Sequence, residues 1–201
     1  MIPPQNSSNS ELERDIALAI KMCVGTPSKN IRENLPNIVG ELKKRNLYTD
    51  LMLRMAIATV YVETGRFCPL SEFKSKYNTS GKSHDFDLYD FRKDLGNQGP
   101  PDGDRFKGRG YVQLTGRANY AKFGERLKQD LLNQPEIANQ SSIAAAILCE
   151  FMKDRERIIV PALQNGDLAR ARKAINGGSH GLSNFILSFN AGDAGTLPKV
   201  A

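Results

Sequence analysis

Apolar residues recur along most of this chain at helical spacing, and the pattern changes character once, near residue 72. From about Ser28 to Arg45, Ile31, Leu35, Ile38 and Leu42 step by four, three and four, one face of a helix. Pro36 lies inside that stripe and predicts a kink or a break. Ahead of it, Ile16, Ile20 and Cys23 predict a first helix capped by Ser10, with residues 1–9 polar and disordered. Residues 51–62 are apolar at every position except Arg54, Thr59 and Tyr61, behind the capping pair Thr49-Asp50. A helix apolar nearly all round belongs in a core. It can stop at Thr64-Gly65, which leaves Glu63 at its end.

Residues 73–107 are polar and rich in turn formers, a long irregular segment with at most short strands. Helical spacing returns with Asn119, Tyr120, Phe123, Leu127 and Leu131, then in SIAAAILCEFMKDRER behind Ser141 or Ser142. LARARKAIN ends on Asn176-Gly177-Gly178, and SNFILSFN forms a last short helix. The fold class is therefore mainly α. The length of 201 residues suits one domain, residues 10–201, or two small lobes around a cleft.

Composition narrows the function less than the pattern does. Lys and Arg number 28 against 22 Asp and Glu, which gives a net charge of +6 and suits anionic surfaces, nucleic acid and bacterial wall among them. Cys23, Cys68 and Cys149 are an odd, sparse set with no zinc spacing, and are read as free thiols. No stretch is long and apolar enough to span a membrane. The N-terminus has neither a basic nor an apolar signal region. The expectation is a protein held where it is made until released, or exported with a signal already trimmed, and acting on the cell wall.

Only two histidines occur, and no serine sits in a nucleophile-elbow pattern, which argues against a nucleophilic triad. His84, Asp85, Asp87 and Asp90 lack the closing Glu of a calcium loop, so no metal and no cofactor is expected. FKGRGYVQL superficially matches an RNA-binding strand, but no four-stranded sheet is predicted around it. The carboxylates remain. Glu63, at the end of a buried helix, has the setting that keeps a general acid protonated. Glu72, nine positions on in a polar segment, would stay ionised. Glycosidic hydrolysis needs that division of roles. Gln113 and Thr115 would share a face if FKGRGYVQLT is extended.

The segments ETGRF-x-PL-x-E, Y-x-x-R-x-DLGN, PDGDRFKGRGYVQLTGRANY and INGG together resemble family 19 glycoside hydrolases, from about Pro27 to Leu182. The resemblance implies a lysozyme-like helical domain with two lobes flanking a substrate cleft. It implies inverting cleavage of β-1,4 bonds in N-acetylhexosamine polymers, with carboxyls ~6.5–9.5 Å apart. Glu63 falls on the general acid, with Val62 and Thr64 where the family often has His and Ser. Thr115 falls where a hydroxyl helps hold the attacking water. Gln113, Asn119 and Asn176 fall on sugar-binding positions, and Tyr111 and Arg109 of the same block are taken with them. The base resembles Glu72, with Asp85, Asp87 and Asp90 as rivals. Tyr77, Tyr89 and Tyr111 are candidates for stacking on sugars. The expected partner is a polysaccharide and the expected state a monomer. Peptidoglycan, as for a phage-type endolysin, is favoured by the basic charge; chitin and an inactive glycan-binding protein are the alternatives.

Overall fold

The computed structural model describes residues 6–178 and 180–193. The chain divides into two compact units, one of residues 1–68 with 149–201 and one of residues 69–148.

The first unit is helical. It holds α1 (Asn6–Met22), α2 (Ser28–Lys44), α3 (Asp50–Thr64), the C-terminal half of α6 (Ser141–Asp154), α7 (Glu156–Gln164), α8 (Leu168–Asn176) and α9 (Leu182–Ala191). Helix α3 is packed by α1, α2, α7 and α9. Thr49 accepts a hydrogen bond from Met52 N at its start, and Gly65 N reaches Tyr61 O at its end. Residues 52–60 of α3 are all buried, Arg54 and Thr59 included. Arg54 interrupts the apolar run without cost to packing: its guanidinium donates to Phe189 O at 2.7 Å, pairs with Asp193 at 2.7 Å and lies 4.2 Å from the Phe189 ring centroid. It therefore ties α3 to the end of α9.

Four expectations change in this unit. Helix α1 starts at Asn6, so residues 6–9 are helical; residues 1–5 lie outside the described residues. Its buried apolar residues include Ile16, Ala19 and Met22, with Cys23 buried just past its end, while Ile20 points outward at 38% exposure. Helix α2 runs through Pro36 without a break, with Ile31, Leu35, Ile38, Val39 and Leu42 buried. The helix beginning at Ser141 ends at Asp154, and a separate helix, α7, follows with Ile159, Ala162 and Leu163 buried. Cys23, Cys68 and Cys149 are free thiols, and burial pushes Cys23 and Cys149 up to about 12.

The second unit is mostly irregular up to residue 107, as its composition predicts. Short 3-10 turns at Asp87–Tyr89 and Lys93–Leu95 precede the one-turn helix α4 (Asp102–Arg105). Strand β1 (Leu70–Ser71) pairs antiparallel with β2 (Arg109–Gly110), Leu70 opposite Gly110. Helix α5 (Arg117–Leu127) buries Tyr120 and Phe123 and stops at Lys128, short of Leu131. The irregular segment is clamped to α5 by charge. Arg117 Nε donates to Asp102 Oδ2 at 2.7 Å, Gln98 N donates to the same oxygen at 2.8 Å, and Arg117 N donates to Asn97 Oδ1 at 2.9 Å.

The Arg117 guanidinium holds the Asp102 carboxyl below its usual 3.8. A carboxylate whose folded pKa is depressed stabilises fully above its unfolded pKa and less as pH falls below it. Arg117→Met should therefore cost about 1–3 kcal/mol at pH 7, less than a fully buried pair because Arg117 is partly exposed. The difference in Tm from the unaltered protein should shrink as pH drops below about 3.8. A pH-independent difference in thermal scans would rule out the ion pair as its source.

Candidate active site

Each unit presents one of the two sequence-selected glutamates. In the first unit, α3 leaves the core at Tyr61, and Glu63 stands half-buried on its last turn with its side chain 22% exposed. The apolar setting read from the sequence is not found. Glu63 Oε1 accepts a short, charge-assisted bond from Arg172 Nη2 on α8. Arg172 is 1% exposed, and its Nη2 also reaches His180 O at 3.4 Å. Its Nε and Nη1 are buried without hydrogen-bond partners among the described residues. A buried guanidinium with donors to spare holds firmly to the carboxylate it has.

Asn176, one turn on from Arg172, donates to His180 O at 3.2 Å and accepts from Gly178 N at 3.2 Å. It organises the segment after α8. Gly181 in that segment has φ +68°, and a Cβ there would fall 2.5 Å from Val62 Cγ1, so Val62 packs where only glycine fits. Thr64 keeps a hydroxyl beside Glu63 and uses it structurally, donating to Val60 O at 2.8 Å and accepting from Phe67 N at 3.0 Å.

In the second unit the convergence is tighter. Glu72 N donates to Gly108 O at 2.7 Å, and Gly108 N donates back to Glu72 Oε2 at 3.1 Å. Glu72 Oε1 accepts from Tyr89 Oη at 2.8 Å and from Asn78 Nδ2 at 3.0 Å. Burial first, then the bond to Glu72, pushes the Tyr89 phenol up to about 12, which keeps it a donor. A Cβ at Gly108 would lie 2.8 Å from Gln113 Oε1 and 3.2 Å from both Glu72 Oε2 and Thr115 Oγ1. Three oxygens thus meet over a backbone with no side chain, in space that any other residue would fill.

This meeting does not come from an extended strand. Arg109 and Leu114 bond to each other at 2.9 and 3.2 Å across a tight turn, and Gln113 within it has φ +51°. Gln113 Nε2 donates to Leu70 O at 3.1 Å and Gly110 O at 3.2 Å, which turns its Oε1 toward Gly108. Thr115 Oγ1 donates to Gln113 O at 2.8 Å, and Asn119 Nδ2 donates to Thr115 O at 2.8 Å.

Two expected sugar contacts are corrected. Tyr111 is fully buried with its hydroxyl on Ser141 Oγ at 2.9 Å. Arg109 is 8% exposed and spends Nη1 on Arg105 O and on Tyr120 Oη, at 2.8 and 2.9 Å. Both build the unit from inside. The rivals to Glu72 are also occupied elsewhere. Asp85 pairs with Lys74 at 3.1 Å, Asp87 accepts from Ser80 N at 2.7 Å, and buried Asp90 lies 2.8 Å from His84 Nε2 and accepts from Gly103 N at 2.9 Å. Arg172 and Asn78 escaped the sequence reading, and Tyr89, a candidate for stacking on sugars, was not expected to bond Glu72. The available signals were weak: a cation beside Ala171 and Ile175 on an amphipathic helix, and polar residues in a loop without periodicity. No cluster of three metal-ligating side chains lies among the described residues.

No protein-family model matches the chain, and no curated protein matches it. Solved structures do. Chitinase C from Streptomyces griseus HUT6037 superposes with a TM-score of 0.57 at 18% identity, over 88% of this chain and 73% of that one. A bacterial family 19 chitinase superposes with a TM-score of 0.58 at 20% identity, over 88% of this chain and 93% of that one. The chain has the family 19 chitinase fold. At these identities the likeness is one of fold, so what the two glutamates do rests on their surroundings. No described helix is long and apolar enough to cross a membrane.

Proposed function

We propose that this chain is a glycosidase that hydrolyses β-1,4 bonds of N-acetylhexosamine polymers, with Glu72 as general base and Glu63 as general acid. The observation that carries the reading is the convergence of Glu72 Oε2, Thr115 Oγ1 and Gln113 Oε1 at Gly108. Glu72 Oε1 is already engaged by Tyr89 and Asn78, whereas Oε2 has one donor and a lone pair to spare. The Thr115 proton is committed to Gln113 O, so its oxygen can only accept. A water seated there gives its two protons to Glu72 and Thr115 and keeps a lone pair free for the anomeric carbon. Glu72 takes the proton as the water attacks. Glu63, freed from Arg172 when substrate binds, takes up a proton from solvent and gives it to the departing glycosidic oxygen. With a separate base and acid and no covalent intermediate, the anomeric configuration inverts.

The preferred substrate is peptidoglycan, at the cell wall, supported by the net charge of +6. A second reading, chitin, is favoured by the similar structures, both of them chitinases. Purified sacculi and chitohexaose, assayed in parallel for new reducing ends, separate them. Wall cleavage is expected; inert sacculi with chitohexaose cleaved would replace the first reading by the second.

A further inference from the structure

Two aromatic rings in the second unit have no part in the chemistry above. Phe73 and Tyr77 are 79% and 78% exposed. Single exposed rings are common, but two on one turn next to Glu72 offer a contact surface. They stand on a turn that is fixed from inside. Asn78, 1% exposed, accepts from Ser75 N at 2.8 Å and from Thr79 Oγ1 at 3.0 Å, and donates to Phe73 O at 2.9 Å and to Glu72 Oε1 at 3.0 Å. Those four bonds use the whole capacity of a carboxamide. One buried side chain therefore fixes both Glu72 and the turn that displays the rings. A turn whose backbone is already fixed loses little freedom on binding.

The spacing of the turn selects the partner. Lys74, Ser75 and Lys76 separate the two rings, so no continuous apolar face forms. The Lys76 ammonium lies 5.2 Å from the Tyr77 ring centroid. Lys74 is paired with Asp85, and both are exposed. A ligand matching rings interleaved with cations has apolar faces, a polar rim and negative charge. A pyranose has C–H faces that stack on aromatic rings and hydroxyls around its edge.

We propose that Phe73 and Tyr77 form a stacking platform for an anionic glycan strand, with Lys76 meeting carboxylates that the strand carries, as on the peptide stems attached to the muramic residues of peptidoglycan. The proposal rests on the glycosidase reading only in placing the platform beside a base; binding to the strand needs no turnover.

Co-sedimentation of the full chain with purified sacculi, with chitin and with phosphatidylglycerol vesicles tests it. The double variant Phe73→Ala/Tyr77→Ala should lose about tenfold or more in affinity for sacculi with an unchanged Tm, since both side chains are exposed. Lys76→Gln should weaken binding to sacculi and leave binding to chitin unaltered. Wild-type affinity of the double variant for sacculi would overturn the platform. Equal effects of Lys76→Gln on chitin and sacculi would overturn the anionic partner, and capture by vesicles alone would overturn a glycan. If the wild type binds sacculi through these residues yet cleaves nothing, the glycosidase reading falls and the platform stands.

Discussion

Glu72→Gln is expected to lower the rate of hydrolysis by about 10²–10⁴-fold, the range over which a positioned acid or base acts. The substitution removes the base and also upsets the site that holds it. Oε1 accepts from Asn78 and Tyr89, and Oε2 accepts from Gly108 N. A carboxamide has one acceptor oxygen, so its NH₂ must face either the Gly108 N–H or the Asn78 amide, donor against donor. That conflict should cost about 1–3 kcal/mol of stability. Rates should therefore be measured well below the variant's unfolding transition. There the loss should sit in kcat, with KM little changed, because the water is a transition-state partner and the sugar contacts remain.

Glu63→Gln should reduce the rate by at least about a hundredfold. Its effect on stability has a different origin. Arg172 is 1% exposed and leaves Nε and Nη1 unpartnered among the described residues, so Glu63 supplies the charge that offsets a buried cation. Removing one member of a fully buried pair costs about 3–5 kcal/mol. Here the side chain of Glu63 is partly exposed and the Gln oxygen can still accept, so about 1–3 kcal/mol is expected. A fall in Tm with the rate retained would leave Glu63 as a structural counterion to Arg172 and move the acid role elsewhere.

The helical framework was legible in the sequence because burial imposes a period on it. Ile31, Leu35, Ile38 and Leu42 lie inside α2 as their spacing requires, and the apolar run of α3 is buried on every side. Where several elements share the burial the pattern blurs. Ala19 takes the inward place in α1 that Ile20 was expected to fill, and α7 was hidden by reading the helix before it too far.

The site followed a different logic. Glu72 and Thr115 could be selected by type and by resemblance, but their partners could not. Arg172 is 109 positions from Glu63, and Tyr89 is 17 from Glu72. Irregular backbone has no period to say which way a side chain faces. Tyr111 and Arg109, taken as sugar contacts, therefore lie inside, while Phe73, two positions from β1, stands in solvent. Glu63 was misjudged for a related reason: the apolar run continues to Val62, but Tyr61, Val62 and Glu63 are only half-buried.

The most direct test of the central claim compares the wild type with Glu72→Gln for new reducing ends released from purified sacculi and from chitohexaose. The account predicts hydrolysis of at least one substrate by the wild type and at least a hundredfold less of it by a folded Glu72→Gln. A wild type inert on both, or a Glu72→Gln variant that retains the wild-type rate, would contradict it.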